Sequence, residues 1–141
     1  MKILIDTNVI LDIALERKPF VEHAALLFKT ANKKMIKLFM TATTVTDLYY
    51  IIRKEKGKET ALLFLEDLIQ FVDVASVDKN IIINALRSAV SDFEDAIQVC
   101  SAKQEEIKII VTRNEKDFIN SELNILSPKS FLNMLQDDVN F

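Results

Sequence analysis

The sequence is poor in the residues that build disulfides, zinc sites and turns. Its 141 residues include one cysteine, one histidine, one glycine and two prolines. A lone cysteine, Cys100, excludes an intramolecular disulfide and a thiolate cluster, and a lone histidine, His23, excludes histidine-rich zinc chemistry. With so few turn residues, the long apolar-periodic segments predict a helix-rich domain with short strands.

A strong net charge and a long hydrophobic run are also lacking. Eighteen basic and 21 acidic residues sum to −3, which argues against binding of nucleic acid by bulk positive charge. No eighteen consecutive residues are apolar and uncharged, and the first residues, MKILID, contain no signal core. We therefore expect a cytoplasmic protein without a membrane span. Half of the residues are hydrophobic, and this length and composition predict a single domain over residues 1–141.

Hydrophobic patterning divides the chain into alternating strands and helices. Strands are predicted at residues 2–5, 38–41, 71–74, 107–112 and 122–126. Helices are predicted at residues 9–16, 21–33, from just after Thr44 to a cap at Gly57, and at 58–70, 78–89, 93–104 and 129–135, the last after Pro128. Strands separated by helices indicate a three-layer α/β domain, with a parallel sheet of four to five strands covered on both faces.

Four aspartates lie where such a sheet would gather them. Asp6 follows the first strand, and Asp117 lies shortly after the fourth. Asp47 is on the helix that follows the second strand, and Asp95 is near the start of another helix. Because ligands of open parallel sheets bind beyond the carboxyl ends of the strands, we expect these four acids to meet at that edge.

Several of these acids also have a purely structural explanation. Asp6 could cap a turn or a helix, and Asp117 could cap a short turn before Phe118. Residues 44–47 and 91–94 both fit a capping box, which would explain Asp47 and would make Glu94 only a helix-start partner. Taken singly, none of these acids indicates a function.

The four acids together indicate a cation site. Two carboxylates about 4 Å apart repel each other by roughly 4 kcal/mol at an effective dielectric constant near 20. Hard divalent cations remove this repulsion, and Mg²⁺ or Mn²⁺ suits a carboxylate site without histidine or cysteine. One or two such ions can activate water and bridge a phosphodiester.

Three motifs resemble those of the PIN-domain family, which includes the ribonuclease toxins of VapBC toxin–antitoxin pairs. DTN at residues 6–8 resembles the opening motif of that family. DFEDA at residues 92–96 is similar to the start of its central helix, and VTRN at 111–114 with DF at 117–118 is similar to the segment after its fourth strand. The motifs occur in the family's order and span most of the chain.

The resemblance implies that Asp6, Asp95 and Asp117 are catalytic, metal-binding carboxylates. The family usually has a glutamate where this chain has Asp47, so the charge is kept and the reach of the side chain is shorter.

Other residues take supporting roles in this interpretation. Asn8, Thr112 and Asn114 would orient ligands or substrate, with Asn114 competing with Asp117 as the last ligand. Asp92 and Asp12 are possible outer acids, although a solvated surface position explains Asp12 equally well.

The resulting hypothesis is an Mg²⁺- or Mn²⁺-dependent endoribonuclease, the toxin of a type II pair. Its expected partners are RNA, a small antitoxin and a second copy of the chain, with apolar candidates for the contact face at Phe20, Phe39, Tyr49, Tyr50 and Phe131.

Two alternatives stay open. One is a phospho-aspartate protein that uses Asp6, in which Asn8 replaces the expected second acid. The other is a catalytically silent PIN-like binding domain, which Asp47 in place of glutamate keeps open.

Overall fold

A computed structural model describes the backbone of residues 1–139 and the side chains of residues 1–137, so the last two residues of the predicted domain lie outside the described part. One sheet of five parallel strands has the order β3-β2-β1-β4-β5. Its strands are β1 (Lys2–Ile5), β2 (Lys37–Thr41), β3 (Val72–Ala75), β4 (Ile109–Val111) and β5 (Asn124–Leu126).

Helices cover both faces of this sheet. One face carries α1 (Thr7–Ala14), α2 (Val21–Lys33), α3 (Ala42–Lys56), α4 (Lys58–Leu68) and α7 (Pro128–Val139). The other face carries α5 (Lys79–Leu86) and α6 (Phe93–Gln104). Between residues 1 and 139, we find no helix with the length and apolar character needed to cross a membrane.

The central strand β1 serves two hydrophobic cores because side chains alternate along a strand. Ile3 and Ile5 pack under the larger helical layer, whereas Leu4 packs under α5 and α6. All three are completely buried, and burial of each such side chain stabilises the fold by about 1.5–3 kcal/mol. Because β1 is buried on both faces, its residues from Ile3 to Ile5 are all uncharged.

The predicted three-layer α/β fold is confirmed, and α2 and α6 have the predicted bounds. Most other elements differ from the prediction by a few residues, and in α1 and β4 local hydrogen bonding explains the difference. α1 begins at Thr7 because Asp6 caps it. β4 begins at Ile109 because the amide of Ile107 donates to the carbonyl of Ala102 at 2.8 Å, closing the end of α6 and not pairing in the sheet.

The interpretation of residues 44–47 as a capping box is wrong. α3 begins at Ala42, and the hydroxyl of Thr41 accepts a hydrogen bond from the Thr44 amide at 3.2 Å. Thr41 is thus the N-cap, and Asp47 lies in the body of the helix. The structure also contains a 3-10 helix, Glu115–Phe118, that the sequence pattern did not predict.

Candidate functional site

The described residues form an acidic pocket of about 420 Å³ beyond the carboxyl ends of β1 and β4. The structure brings all four predicted aspartates to this pocket, together with two further acids. Its carboxylates are Asp6, Asp47, Asp92, Glu94, Asp95 and Asp117. Among the described residues lining it there is no lysine, arginine or histidine, so these lining residues offer no cation to balance the charge.

Asp6 is the most enclosed of these acids, with 6% of its surface exposed. It directly follows β1, and its Oδ1 caps α1 by accepting from the Thr7 amide at 2.8 Å. Gln98 Nε2 also donates to Oδ1 at 2.8 Å, and Thr112 Oγ1 donates to Oδ2 at 2.6 Å. Three neutral donors thus hold both oxygens in place. Asp6 therefore both caps α1, as its structural explanation predicted, and lines the pocket.

Asp47 reaches the pocket from α3, which lies beside α1. The hydroxyls of Thr7 and Thr44 are hydrogen bonded at 2.9 Å and tie the two helices together near their first turns. The same Thr44 hydroxyl lies 3.1 Å from the Thr41 hydroxyl. The start of α3 is therefore fixed relative to Asp6, and Asp47 projects from a helix in a defined position.

The start of α6 contributes three acids. Asp92 caps the helix, because its Oδ1 accepts from the Asp95 amide at 3.0 Å. The prediction that Ser91 and Glu94 form a capping box is wrong, since the cap lies one residue later. Glu94 instead lines the pocket, so sequence reasoning misjudged it. Its position beside Asp95 in an acid-rich segment was the available signal.

Mutual repulsion and burial shift the ionisation of two of these acids. Burial, together with the charges of Asp6, Asp92 and Asp117, raises the pKa of Asp95 to about 7. A side-chain hydrogen bond with Asp47, followed by burial and the neighbouring charges, raises the pKa of Glu94 to about 7. Carboxylates with such raised pKa values lack compensating positive charge.

The remaining predicted residues lie around the segment after β4. Asp117, an exposed residue of the 3-10 helix, lines the pocket together with Asn8 and Asn114. Thr112 is not among the lining residues. It is fully buried and accepts from the Asn114 amide at 3.0 Å while it donates to Asp6. Asn8 Oδ1 accepts a long hydrogen bond, 3.5 Å, from the Arg113 amide.

The sequence analysis did not predict the contacts that Asp12 and Gln98 make in the structure. Asp12 is 1% exposed, so the solvated position is wrong, and because Asp12 does not line the pocket its outer role stays a prediction. It instead accepts two hydrogen bonds from Arg113, at 2.6 and 3.1 Å. Gln98 lines the pocket on α6. The signal for Gln98 was its place one helical turn after Asp95 within an apolar segment.

The donor set of the pocket fits a hard divalent cation. Its charged side chains are all carboxylates, and burial together with neighbouring negative charge, which a cation would offset, contributes to the raised pKa values of Glu94 and Asp95. Within residues 1–137, no three acids, histidines or cysteines are already grouped as a finished metal centre. Asp6 could hold the ion as it stands, and Asp47, Glu94, Asp95 and Asp117 could join it after rotation of their side chains.

A larger cavity, about 560 Å³, lies at the opposite edge of the sheet. It is bordered by the first residues of β2 and by apolar side chains such as Phe28, Ile36 and Phe71. Size alone would favour this cavity, but it lacks the convergent acids. Chemistry therefore places the candidate site in the smaller pocket.

The geometry so far defines an α/β domain with a carboxylate pocket, suited to a divalent cation, at the carboxyl edge of a parallel sheet. The sequence matches the PIN domain family over residues 2–116. The chain belongs to the PIN domain family. This membership sets aside the phospho-aspartate alternative.

Individual relatives agree with this assignment. The chain is 26% identical over 135 residues to ribonuclease VapC1 from Aquifex aeolicus, covering 92% of each chain. It resembles the structure of DNA-bound VapBC from Salmonella typhimurium with a TM-score of 0.70, at 20% identity, covering 91% of this chain and 98% of that one. A toxin–antitoxin complex from Klebsiella pneumoniae gives a TM-score of 0.65, at 20% identity, covering 89% and 96%.

Proposed function

We propose that the protein is an Mg²⁺- or Mn²⁺-dependent endoribonuclease that hydrolyses RNA phosphodiesters. The single observation that carries this proposal is the pocket of six carboxylates without a lining cation among the described residues. A polyanionic substrate could not approach such a pocket unless metal ions first neutralised it. The name of the Aquifex aeolicus relative, a ribonuclease, supports RNA as the substrate.

The position of each side chain in the pocket indicates its role in this proposal. Asp6, held by three donors, presents a fixed carboxylate, and Asp95 and Asp117 face it from α6 and from the 3-10 helix. When bound, a divalent cation lowers the pKa of water and stabilises negative charge on the phosphate. Asp95, with its pKa near 7, would be held in its ionised form by such a cation. Asn8 and Asn114, at the pocket wall, orient the substrate.

Asp47 and Glu94 act as a pair in this proposal. Both side chains line the pocket, and Asp47 raises the pKa of Glu94, so Glu94 stands near the aspartate that occupies the family's usual glutamate position. Glu94 supplies the reach that the shorter Asp47 lacks. The expected result is that Glu94→Gln and Asp47→Asn each weaken Mn²⁺ binding, measured by calorimetry, whereas Glu59→Gln on α4 does not.

The same proposal assigns the protein to the toxin side of a type II toxin–antitoxin pair, with a small antitoxin as partner. Support comes from the structural likeness to VapBC and to a toxin–antitoxin complex. A homodimer and a cytoplasmic location stay predictions. Of the apolar candidates for a contact face, Phe39 and Phe131 are buried in the cores, while Phe20 and Tyr50 are 41% and 66% exposed.

RNA cleavage by the purified, partner-free protein tests the enzymatic proposal. We expect a mixed-sequence RNA to be cut with Mg²⁺ or Mn²⁺, not with EDTA, and not by the double variant Asp6→Asn/Asp95→Asn. Products should end in 5′-phosphate and 3′-hydroxyl, and cyclic phosphate ends would contradict the mechanism. A folded protein that binds metal yet cuts no RNA in any sequence context would instead favour the silent binding domain.

A further inference from the structure

Gln98 is a buried polar residue in the middle of α6. Only 3% of its surface is exposed, and its neighbours Ile97 and Val99 belong to the hydrophobic core. Its Nε2 donates to Asp6 Oδ1 at 2.8 Å. Its Oε1 has no hydrogen-bond partner within residues 1–137 and no contact with solvent.

An unpaired, buried carbonyl oxygen destabilises the folded state. Leucine or methionine would fill a similar volume without this penalty and has about the same helix propensity as glutamine. The packing of α6 therefore gives no reason for glutamine at this position. What glutamine alone provides is a neutral donor that reaches the carboxylate of Asp6.

We propose that Gln98 is a positioning residue that sets the orientation of Asp6 for binding of the divalent cation. Nε2 of Gln98 fixes Oδ1, and the Thr112 hydroxyl fixes Oδ2, so the plane of the carboxylate cannot turn freely. Both donors are neutral, so Asp6 keeps its full charge for a cation.

Gln98 also links two proposed ligands. It lies one helical turn after Asp95 on the same helix, so its hydrogen bond sets the distance of α6, and with it Asp95, from Asp6 at the end of β1. This inference rests on the proposed metal-dependent function and adds a residue to it.

The experiment compares Gln98→Met and Gln98→Leu with Gln104→Met, a substitution of an exposed glutamine on the same helix. Mn²⁺ affinity is measured by calorimetry, and the melting temperature is measured without metal. We expect both Gln98 variants to melt near the wild-type temperature, because loss of the unpaired carbonyl offsets loss of the hydrogen bond to Asp6, and to bind Mn²⁺ about 10- to 100-fold more weakly. Gln104→Met should match the wild type in both measurements.

Cleavage of RNA gives a third readout. The Gln98 variants should need proportionally more Mn²⁺ for half-maximal activity, with an unchanged KM for RNA at saturating metal. Unchanged Mn²⁺ affinity in both variants would overturn the inference, and so would a fall in melting temperature large enough to account for the lost binding. If the wild-type protein itself takes up no Mn²⁺, the proposed function fails and this inference fails with it.

Discussion

Asp6 caps a helix and lines the acidic pocket with the same carboxylate. Capping by Oδ1 requires only a short side chain at the end of β1, and this geometry directs the second oxygen towards Thr112. The preference for aspartate at a helix N-cap and the need for a carboxylate in the pocket therefore favour the same residue type at position 6. Burial of a charged carboxylate usually destabilises a protein. At Asp6 this cost is small because three neutral donors form hydrogen bonds with the carboxylate.

Repulsion within the pocket makes a prediction for Asp95. Its raised pKa reflects burial and the charges of Asp6, Asp92 and Asp117. We expect Asp95→Asn to raise the melting temperature of the metal-free protein at pH 8, and to remove most of the stabilisation that Mg²⁺ gives the wild type. Thermal unfolding with and without Mg²⁺ measures both effects. Asp67→Asn on α4 is the control, and an equal gain in that variant would contradict the explanation.

The same acids predict how stability depends on pH. The pKa values of Asp95 and Glu94, about 7 each in the folded protein, lie above their ordinary values of 3.8 and 4.5. Between these limits the folded state binds more protons than the unfolded state, so stability falls as the pH rises from about 4 to 7. Urea unfolding of metal-free protein should show this decline, and saturating Mg²⁺ should reduce it. The control is the metal-free double variant Glu94→Gln/Asp95→Asn. If its free energy of unfolding rises across this pH range, whereas that of the wild type does not, the result agrees with this assignment.

Arg113 has a structural task beside the pocket. Its guanidinium binds Asp12, which is 1% exposed, through two hydrogen bonds and lies 3.9 Å from the ring centre of Phe20. Arg113→Met would leave a buried carboxylate whose nearest cation is Arg17 at 3.9 Å. We expect a loss of about 2–3 kcal/mol in the free energy of unfolding, less than the roughly 3–5 kcal/mol for fully buried pairs because Arg17 partly compensates.

Chemical denaturation of Arg113→Met measures this loss. The matched control is Lys103→Met, which breaks the exposed ion pair with Glu122 at 3.2 Å and should change stability by less than about 1 kcal/mol. Similar losses in the two variants would contradict a special role for the buried pair.

Among the secondary structure elements, the junction of α3 and α4 depends on backbone conformation. Gly57 has φ +91° and ψ 164° and joins the helices without an intervening loop. Its amide donates to the Arg53 carbonyl at 2.9 Å, and its own carbonyl accepts from the Ala61 amide at 3.1 Å. One residue thus ends one helix and starts the next, in a conformation that favours glycine.

Gly57→Ala should therefore destabilise the protein by about 1–3 kcal/mol through backbone strain alone. An added Cβ would meet no atom within 4 Å, so a steric clash does not contribute. Urea unfolding measures the effect, with Lys58→Ala at the adjacent exposed position as control. A neutral Gly57→Ala would show that the junction relaxes to a conformation open to alanine.

At the scale of the whole molecule, the sheet order decides where the acids meet. β1 is the central strand, with β2 and β4 on either side, so segments that leave β1, β2 and β4 emerge side by side. α6 completes the pocket from the opposite face of the sheet. The site is thus shared by four parts of the chain and exists only when the sheet has formed.

Because the acids come together only in the folded state, metal binding should stabilise the fold. We expect Mg²⁺ at about 100 times its Kd to add roughly 2.7 kcal/mol to the free energy of unfolding. Urea unfolding across a Mg²⁺ series measures the gain, and a matched series with Na⁺ at equal ionic strength is the control. No gain at any Mg²⁺ concentration would contradict a metal site in the folded protein.

The sequence by itself determined the fold class, most elements and the four aspartates that line the pocket. Hydrophobic periodicity is a local property, and strand ends place the residues that follow them at one edge of a parallel sheet. The first turns of α3 and α6 were predicted less well, because several hydroxyl and acidic side chains there compete for the capping position, and hydrogen-bond geometry selects Thr41 and Asp92.

Only the tertiary structure decided the roles of Glu94, Gln98 and Asp12. Gln98 and Asp12 meet partners 92 and 101 residues away along the chain, and Glu94 meets Asp47 across the pocket. No local pattern encodes such distant pairs. Burial and charge depend on every neighbour in space, so the same residue types would be ordinary surface groups if the sheet placed them elsewhere.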